Sequence, residues 1–213
     1  MTSARRKADD KTPDVPSAAR VARQRKYAAE RRLLIEAGYR YLARGSSERG
    51  IVLAVLADCN LSTRAFYRHF GSRDEFLLAM LREDSDRVTK WLVDIVDRAK
   101  TGEEALRGYI EAFLSVAWEP RRARRVRALV SEEAMSAKGR IQVAAQDAEV
   151  KRAILRGIFE LGLDDGTVPG AVPAEDAYAL HVVLTAHVAD RMTGVHVVPY
   201  EAAVDHTVAL FLR

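Results

Sequence analysis

Residues 55–76, VLADCNLSTRAFYRHFGSRDEF, decide the fold. Val52, Val55, Leu56 and Cys59 fall at i, i+3, i+4 and i+7, the stripe of a short helix. Asp58-Cys-Asn-Leu61 then makes a tight turn, and Asn60 suits a left-handed backbone, which asparagine tolerates best after glycine. Ser62 is the natural N-cap of the next helix. Leu61, just before that cap, can staple onto Phe66. In the helix so started, Phe66 and Phe70 share a face that must be buried, and Ala65 permits close approach. Thr63, Arg64, Tyr67 and Arg68 then point outward together. Two helices held at a fixed angle, the second displaying guanidinium groups and a phenol, point to a helix-turn-helix entering a major groove. Arginine can pair with the guanine edge in a bidentate fashion. The competing reading is a solvated helix face with an incidental tyrosine.

Working outward, Leu34, Ile35, Gly38, Tyr41 and Leu42 form the stripe of a preceding helix, ended by Gly45 in a left-handed cap. On the other side, Ser72-Arg-Asp-Glu75 is a capping box. Leu77, Met80, Leu81, Asp84, Val88, Trp91, Leu92 and Ile95 run down one face of the helix it opens, broken only by Asp84. Residues 73–99 as one helix would measure about 40 Å, enough to join two domains. Thr101-Gly-Glu-Glu104 is a second capping box, and Pro120 stops the helix it starts. An arginine-rich helix follows from Arg121, then one over about 140–163 (Asp164-Asp-Gly166 is the next break), one over 174–193 after Pro173, and a last one from Pro199. The chain reads as all-α: a three-helix head over residues 23–80 and a larger helical domain over 81–213.

Composition sets the outer limits. The chain has 213 residues, 48% hydrophobic and 30% charged, ordinary for a folded protein. A single cysteine, Cys59, excludes an intrachain disulfide framework or a multi-cysteine zinc site, and reads as a buried structural thiol. No run of apolar residues is long enough to span a membrane, and the first residues lack the apolar core of a secretory signal, so the cytoplasm is the expected compartment. Residues 1–80 hold 16 Lys and Arg against 9 Asp and Glu, whereas residues 81–213 hold 18 against 21. A basic front and a slightly acidic back suggest that only the front meets a polyanion. Residues 1–22, with Arg5, Arg6 and Lys7, read as a mobile polar tail.

The other features are blander. The run Arg121-Arg-Ala-Arg-Arg-Val-Arg127 is followed by Glu132 and Glu133 and reads as an ion-paired, solvated face. His181, His187, His196 and His206 lack metal-ligand spacing, so no metal site is expected. No nucleophile elbow or glycine-rich phosphate loop accompanies the serines, histidines and acids, so no catalytic residues and no cofactor are expected.

The run Leu61–Phe76, with Leu34-Ile-Glu-Ala-Gly38 before it, resembles the signature of the tetracycline-repressor (TetR) family of bacterial transcriptional regulators. The resemblance covers about residues 23–80. It implies a homodimeric repressor whose third helices enter the major grooves of a palindromic operator on double-stranded DNA. It also implies that Tyr67 and His69 touch phosphates, that Arg73 replaces a phosphate-binding lysine, and that Thr63, Arg64 and Arg68 approach bases. Asn60 departs from the usual turn glycine, and Leu56 from a small alanine between the two helices. Gly50-Ile51 lacks the usual threonine, so a phosphate contact there is lost or passes to backbone N–H groups or Arg49.

The same resemblance implies a small apolar or amphipathic ligand between the later helices, with Tyr109, Phe113, Trp118, Phe159 and Leu184 as candidate walls. Residues 174–193 are apolar nearly all round. Val182, Val183 and Ala186 there, with Val204, Val208 and Phe211 of the last helix, are candidates for a four-helix dimer seam. Three other readings stay open: a ligand-independent DNA binder, a helical enzyme using an aromatic cavity, and a head that binds protein.

Overall fold

The structure, a computed structural model, describes residues 18–45, 50–195 and 197–212. Asn60 is the one non-glycine residue with a positive φ, 52°, among them. The chain reverses there between two short helices, as its sequence predicts. The helices are α1 Ala18–Arg44, α2 Gly50–Cys59, α3 Thr63–His69, α4 Arg73–Val96, α5 Gly102–Trp118, α6 Pro120–Leu129, α7 Glu132–Met135, α8 Arg140–Asp164, α9 Pro173–Thr193 and α10 Tyr200–Phe211. No strand occurs among the described residues, and no helix there is long and apolar enough to cross a membrane.

Local chemistry sets most of the boundaries. Ser62 Oγ accepts from Ala65 N at 3.2 Å, Ser72 Oγ from Glu75 N at 3.0 Å, and Thr101 Oγ1 from Glu104 N at 3.2 Å. Glu75 and Glu104 close their capping boxes on the N–H groups of Gly71 and Lys100, one residue before the cap. Two boundaries differ from the sequence reading. Residues 18–22, assigned to the tail by composition, belong to α1, because Ala18-Ala-Arg-Val-Ala22 is rich in helix formers. The rest of that tail, Arg5, Arg6 and Lys7 included, lies outside the described residues, as do Arg49 and His196. The long rod ends at Val96 rather than residue 99, where Arg98 N and Ala99 N turn onto Ile95 O and Val96 O. It spans about 36 Å at 1.5 Å per residue.

The buried residues form two clusters. In the first, Leu34, Ile35 and Leu42 of α1 meet Ile51, Val55 and Leu56 of α2, Phe66 of α3, and Phe76 and Met80 of α4. The rings of Phe66, Phe70 and Phe76 lie 4.9–5.4 Å apart in tilted and edge-on pairs, the favourable aromatic geometry. Ala128, Leu129 and Ala134 from α6 and α7 close this cluster, so the head is completed by residues far along the chain. In the second, α5 is the central helix, packed on α4, α8, α9 and α10. A Cβ on Gly102 would stand 2.2 Å from Gly162 Cα, so the start of α5 and the end of α8 touch backbone to backbone.

The clusters are joined by α4, and polar bridges tie α1 to α4 and α6. Arg31 pairs with Glu83 at 3.0 Å, Arg125 of α6 with Glu36 of α1 at 2.7 Å, and Tyr39 Oη donates to Met80 O at 3.0 Å.

Candidate functional site

The short helix α3 carries the first candidate surface. Its inner face, Ala65 and Phe66, is buried, while Thr63, Arg64, Tyr67 and Arg68 are all exposed. Tyr67 is 54% exposed, a large value for an aromatic side chain whose neighbour Phe66 is fully buried. The serine cap, Leu61 packed against the head cluster, and the left-handed Asn60 hold this face in one orientation. Arg64 is exposed. Arg68 gives one edge of its guanidinium to Glu30 at 2.5 Å and remains half exposed.

Two residues grouped with this face by sequence stand elsewhere. The His69 side chain is fully buried, its Nε2 3.1 Å from Glu30 Oε2 and its ring 4.1 Å from that of Tyr27. It is a packing and positioning residue, because α3 is only seven residues long and its last turn folds onto α1. Hydrogen bonds from His69 and then Arg68 hold the Glu30 carboxyl below the usual carboxylate range, so the anion that positions Arg68 persists at neutral pH. Arg73 likewise turns away from the α3 face. Its guanidinium meets Glu133 Oε1 at 3.2 Å, Ser136 Oγ at 3.3 Å and Asp74 Oδ1 at 3.1 Å, pinning α7 to α4.

Tyr27 and Glu30, which the sequence reading passed over, sit at i and i+3 on α1 and support α3. Tyr27 Oη donates to Arg68 O at 3.3 Å. The three turns of α1 before Glu30 are almost wholly exposed and carry Arg20, Arg23, Arg25 and Lys26. Cations on α1 therefore adjoin those on α3 through Tyr27.

The second domain places its sequence-predicted residues differently. Tyr109, Phe159 and Leu184 are fully buried in the packed core, and Tyr109 stacks on Phe113 at 6.0 Å. They face the most crowded junction, where α5, α8 and α9 meet, so they fill space rather than line it. Trp118 is half-buried, donating from Nε1 to Val198 O at 3.3 Å under Arg191. Phe113 alone of the five lines either of two neighbouring cavities. The larger, about 290 Å³, lies between α4, α5 and α6 and is lined by Asp84, Arg87, Val88, Trp91, Val116, Arg121, Arg122, Arg125 and Val126. The smaller, about 180 Å³, shares Asp84, Val88, Val116 and Val126 and extends toward Phe113, Lys151 and Val188.

The proposed seam is also revised. Val204, Val208 and Phe211 are buried within the subunit's own second cluster, because α10 packs against α5 and α9. Val182 and Ala186 are exposed, and Val183 is half-buried. Tyr178 extends that exposed α9 stripe, and α8, packed on α9, exposes Val150, Ala153, Gly157 and Leu161 at i, i+3, i+7 and i+11. Among the described residues, nothing beyond the helix's own turn lies within 4 Å of where a Gly157 Cβ would stand. Own-chain packing gives no reason for that mid-helix glycine, which costs roughly 1 kcal/mol relative to alanine.

The sequence matches no protein-family model and no curated protein. Its likeness is to solved structures. A TetR-like transcriptional regulator from Rhodococcus sp. RHA1 matches with 18% identity over 86% of this chain and 93% of that one, TM-score 0.62. The transcriptional regulator FadR from Bacillus subtilis, solved with stearoyl-CoA, matches with 14% identity over 85% and 97%, TM-score 0.69. AibR, solved with isovaleryl coenzyme A and operator DNA, matches with 15% identity over 88% and 98%, TM-score 0.59. At these identities the likeness is one of architecture: the chain has the all-helical fold of these regulators, a helix-turn-helix head on a larger helical domain.

Proposed function

We propose that this chain, built on the fold of TetR-type regulators, is a homodimeric transcriptional regulator that binds a palindromic operator and is released from it by a small molecule. The observation that carries the proposal is the outward set Thr63, Arg64, Tyr67 and Arg68 on a capped helix whose other face is fully buried. Phosphate contacts from Tyr67 and from the α1 cations would set the register, and Arg64 and Arg68 would meet base edges. Glu30 and His69 act through Arg68 by fixing its position. A reducing cytoplasm is where such a protein meets its DNA.

Two heads must sit about one helical turn of DNA apart, roughly 34–36 Å, which requires a second copy. The α8–α9 face supports that copy: Val150, Leu161, Tyr178 and Val182 are exposed apolar residues, and Gly157 leaves room for a facing helix. The FadR and AibR complexes with coenzyme A thioesters support a ligand-responsive second domain. A ligand that favours one spacing of the heads by a few kcal/mol is enough to release DNA.

The experiment is selection of duplexes from a random pool by the purified chain. Enriched sequences should carry a dyad with half-sites about one turn apart. Gly157→Leu should give a folded monomer that no longer enriches the dyad. Failure to enrich any sequence, or a monomeric wild type, would refute the proposal.

A further inference from the structure

Of the five arginines in residues 121–127, three turn toward a concavity rather than away from the protein, and a fourth reaches it from α4. Arg87, Arg121, Arg122 and Arg125 line the cleft between α4, α5 and α6 against one carboxylate, Asp84, which Arg87 already pairs with. Glu119, the N-cap of α6, spends its oxygens on the backbone N–H groups of Arg121 and Arg122 at 3.0 and 2.8 Å. Neither of those two guanidinium groups forms an ion pair with a described carboxylate. Arg122 lies 4.1 Å over the Trp91 ring and donates to Ser115 Oγ at 2.6 Å, so it is held in place by neutral partners. Burial first, and then the charge of Arg125, pushes Arg87 below the usual guanidinium range.

The remaining walls are apolar. Val88, Trp91, Val116 and Val126 floor the cleft, and the adjoining cavity continues past Leu81, Phe113 and Val188. At about 290 Å³ the cleft is at the small end of ligand pockets, roughly 300–1,000 Å³. Guanidinium groups outside ion-pair distance of a carboxylate at one end, and at the other a mostly apolar channel in which Lys151 is already paired with Asp147, fit one chemical class.

We infer that this cleft binds an amphipathic organic anion, its carboxylate or phosphate held by Arg121 and Arg122 and its apolar body laid along Trp91 toward Phe113. The inference deepens the ligand-responsive reading above and rests on it for its regulatory consequence. Arg125, on the cleft wall, also pairs with Glu36 and lies 4.5 Å over the Tyr39 ring. An anion drawing on Arg125 competes with Glu36, and so loosens α6 from the first helix of the head.

The test uses decanoate and decyl phosphate as the two anionic probes and decan-1-ol as the neutral one. Binding to the full chain is followed by Trp91 fluorescence in a Trp118→Phe background and checked by calorimetry. The double arginine variant below should melt with its parent, since the arginines removed are exposed. At least one anion should bind tenfold or more tightly than the alcohol, and which anion does so separates the carboxylate from the phosphate source. Arg121→Gln/Arg122→Gln should remove that preference while leaving alcohol affinity unchanged. Equal binding of all three probes, no binding of either anion, or undiminished anion binding by the double variant would overturn the inference. None of these readouts needs DNA, so they stand apart from the DNA-binding reading. On a selected duplex, the preferred anion should release wild-type protein but not the double variant.

Discussion

Two arginine-bearing helices, α3 and α6, face in opposite ways. On α3, Arg64 and Arg68 stand on a convex surface, outside a core closed by three phenylalanine rings. On α6, Arg122 and Arg125 lie over Trp91 and Tyr39 and line a hollow. The same side chain serves different partners according to curvature. A convex cationic face can follow a groove and its phosphates, whereas a concave one with an aromatic floor holds a single small anion.

The largest expected effect comes from removing the support under the convex face. Phe66→Ala should cost about 3–5 kcal/mol, as deletions of fully buried aromatic side chains do. Denaturant melts should show the loss, and DNA binding should fall with it. Anion binding at α6 should survive wherever the bundle remains folded, and parallel loss of both activities would dissolve the contrast. Next is the turn that aims α3. Asn60→Val, a β-branched residue at φ 52°, should cost about 1–2 kcal/mol, whereas Asn60→Gly should be tolerated. Equal stability of the two would mean the left-handed turn does not set the helix angle.

Smaller still is the Arg125–Glu36 link between the regions. Both side chains are partly exposed, so a double-mutant cycle should return a coupling of about 0.2–1 kcal/mol. The smallest effect is a pH slope confined to the bundle. Burial, then Arg152 and Lys151, lowers the pKa of His181, while Asp147 opposes them. The unfolded chain therefore takes up a proton that the folded chain refuses, and stability is lost as pH falls through the usual histidine range. His181→Leu should flatten the melting temperature between pH 7 and 5, and an unchanged slope would locate the titration elsewhere.

What the sequence made legible was local. The serine caps, the left-handed asparagine and the Phe66–Phe70 face each depend on residues within about four positions, and the structure has all of them. His69 was misjudged because its partner, Glu30, lies 39 residues away and the helix between them and the surface is only seven residues long. Periodicity marked Tyr109, Phe159 and Leu184 as inward, but it carries no information on whether a neighbouring helix or a void lies opposite. Val204 and Val208 failed as seam residues for the same reason: an apolar stripe looks alike whether α5 or a second subunit covers it. Gly157 was passed over because its meaning appears only once the space around it is seen to be open.

The measurement closest to the central claim is the affinity of Arg64→Ala for a duplex selected by the wild-type chain. The expected loss is about 1–3 kcal/mol, with relaxed preference at one base position in each half-site. Tyr67→Phe, which removes only a hydroxyl donor, should weaken binding without altering the preferred sequence. Unchanged affinity in both variants would contradict the account and leave α3 as a surface for some other partner.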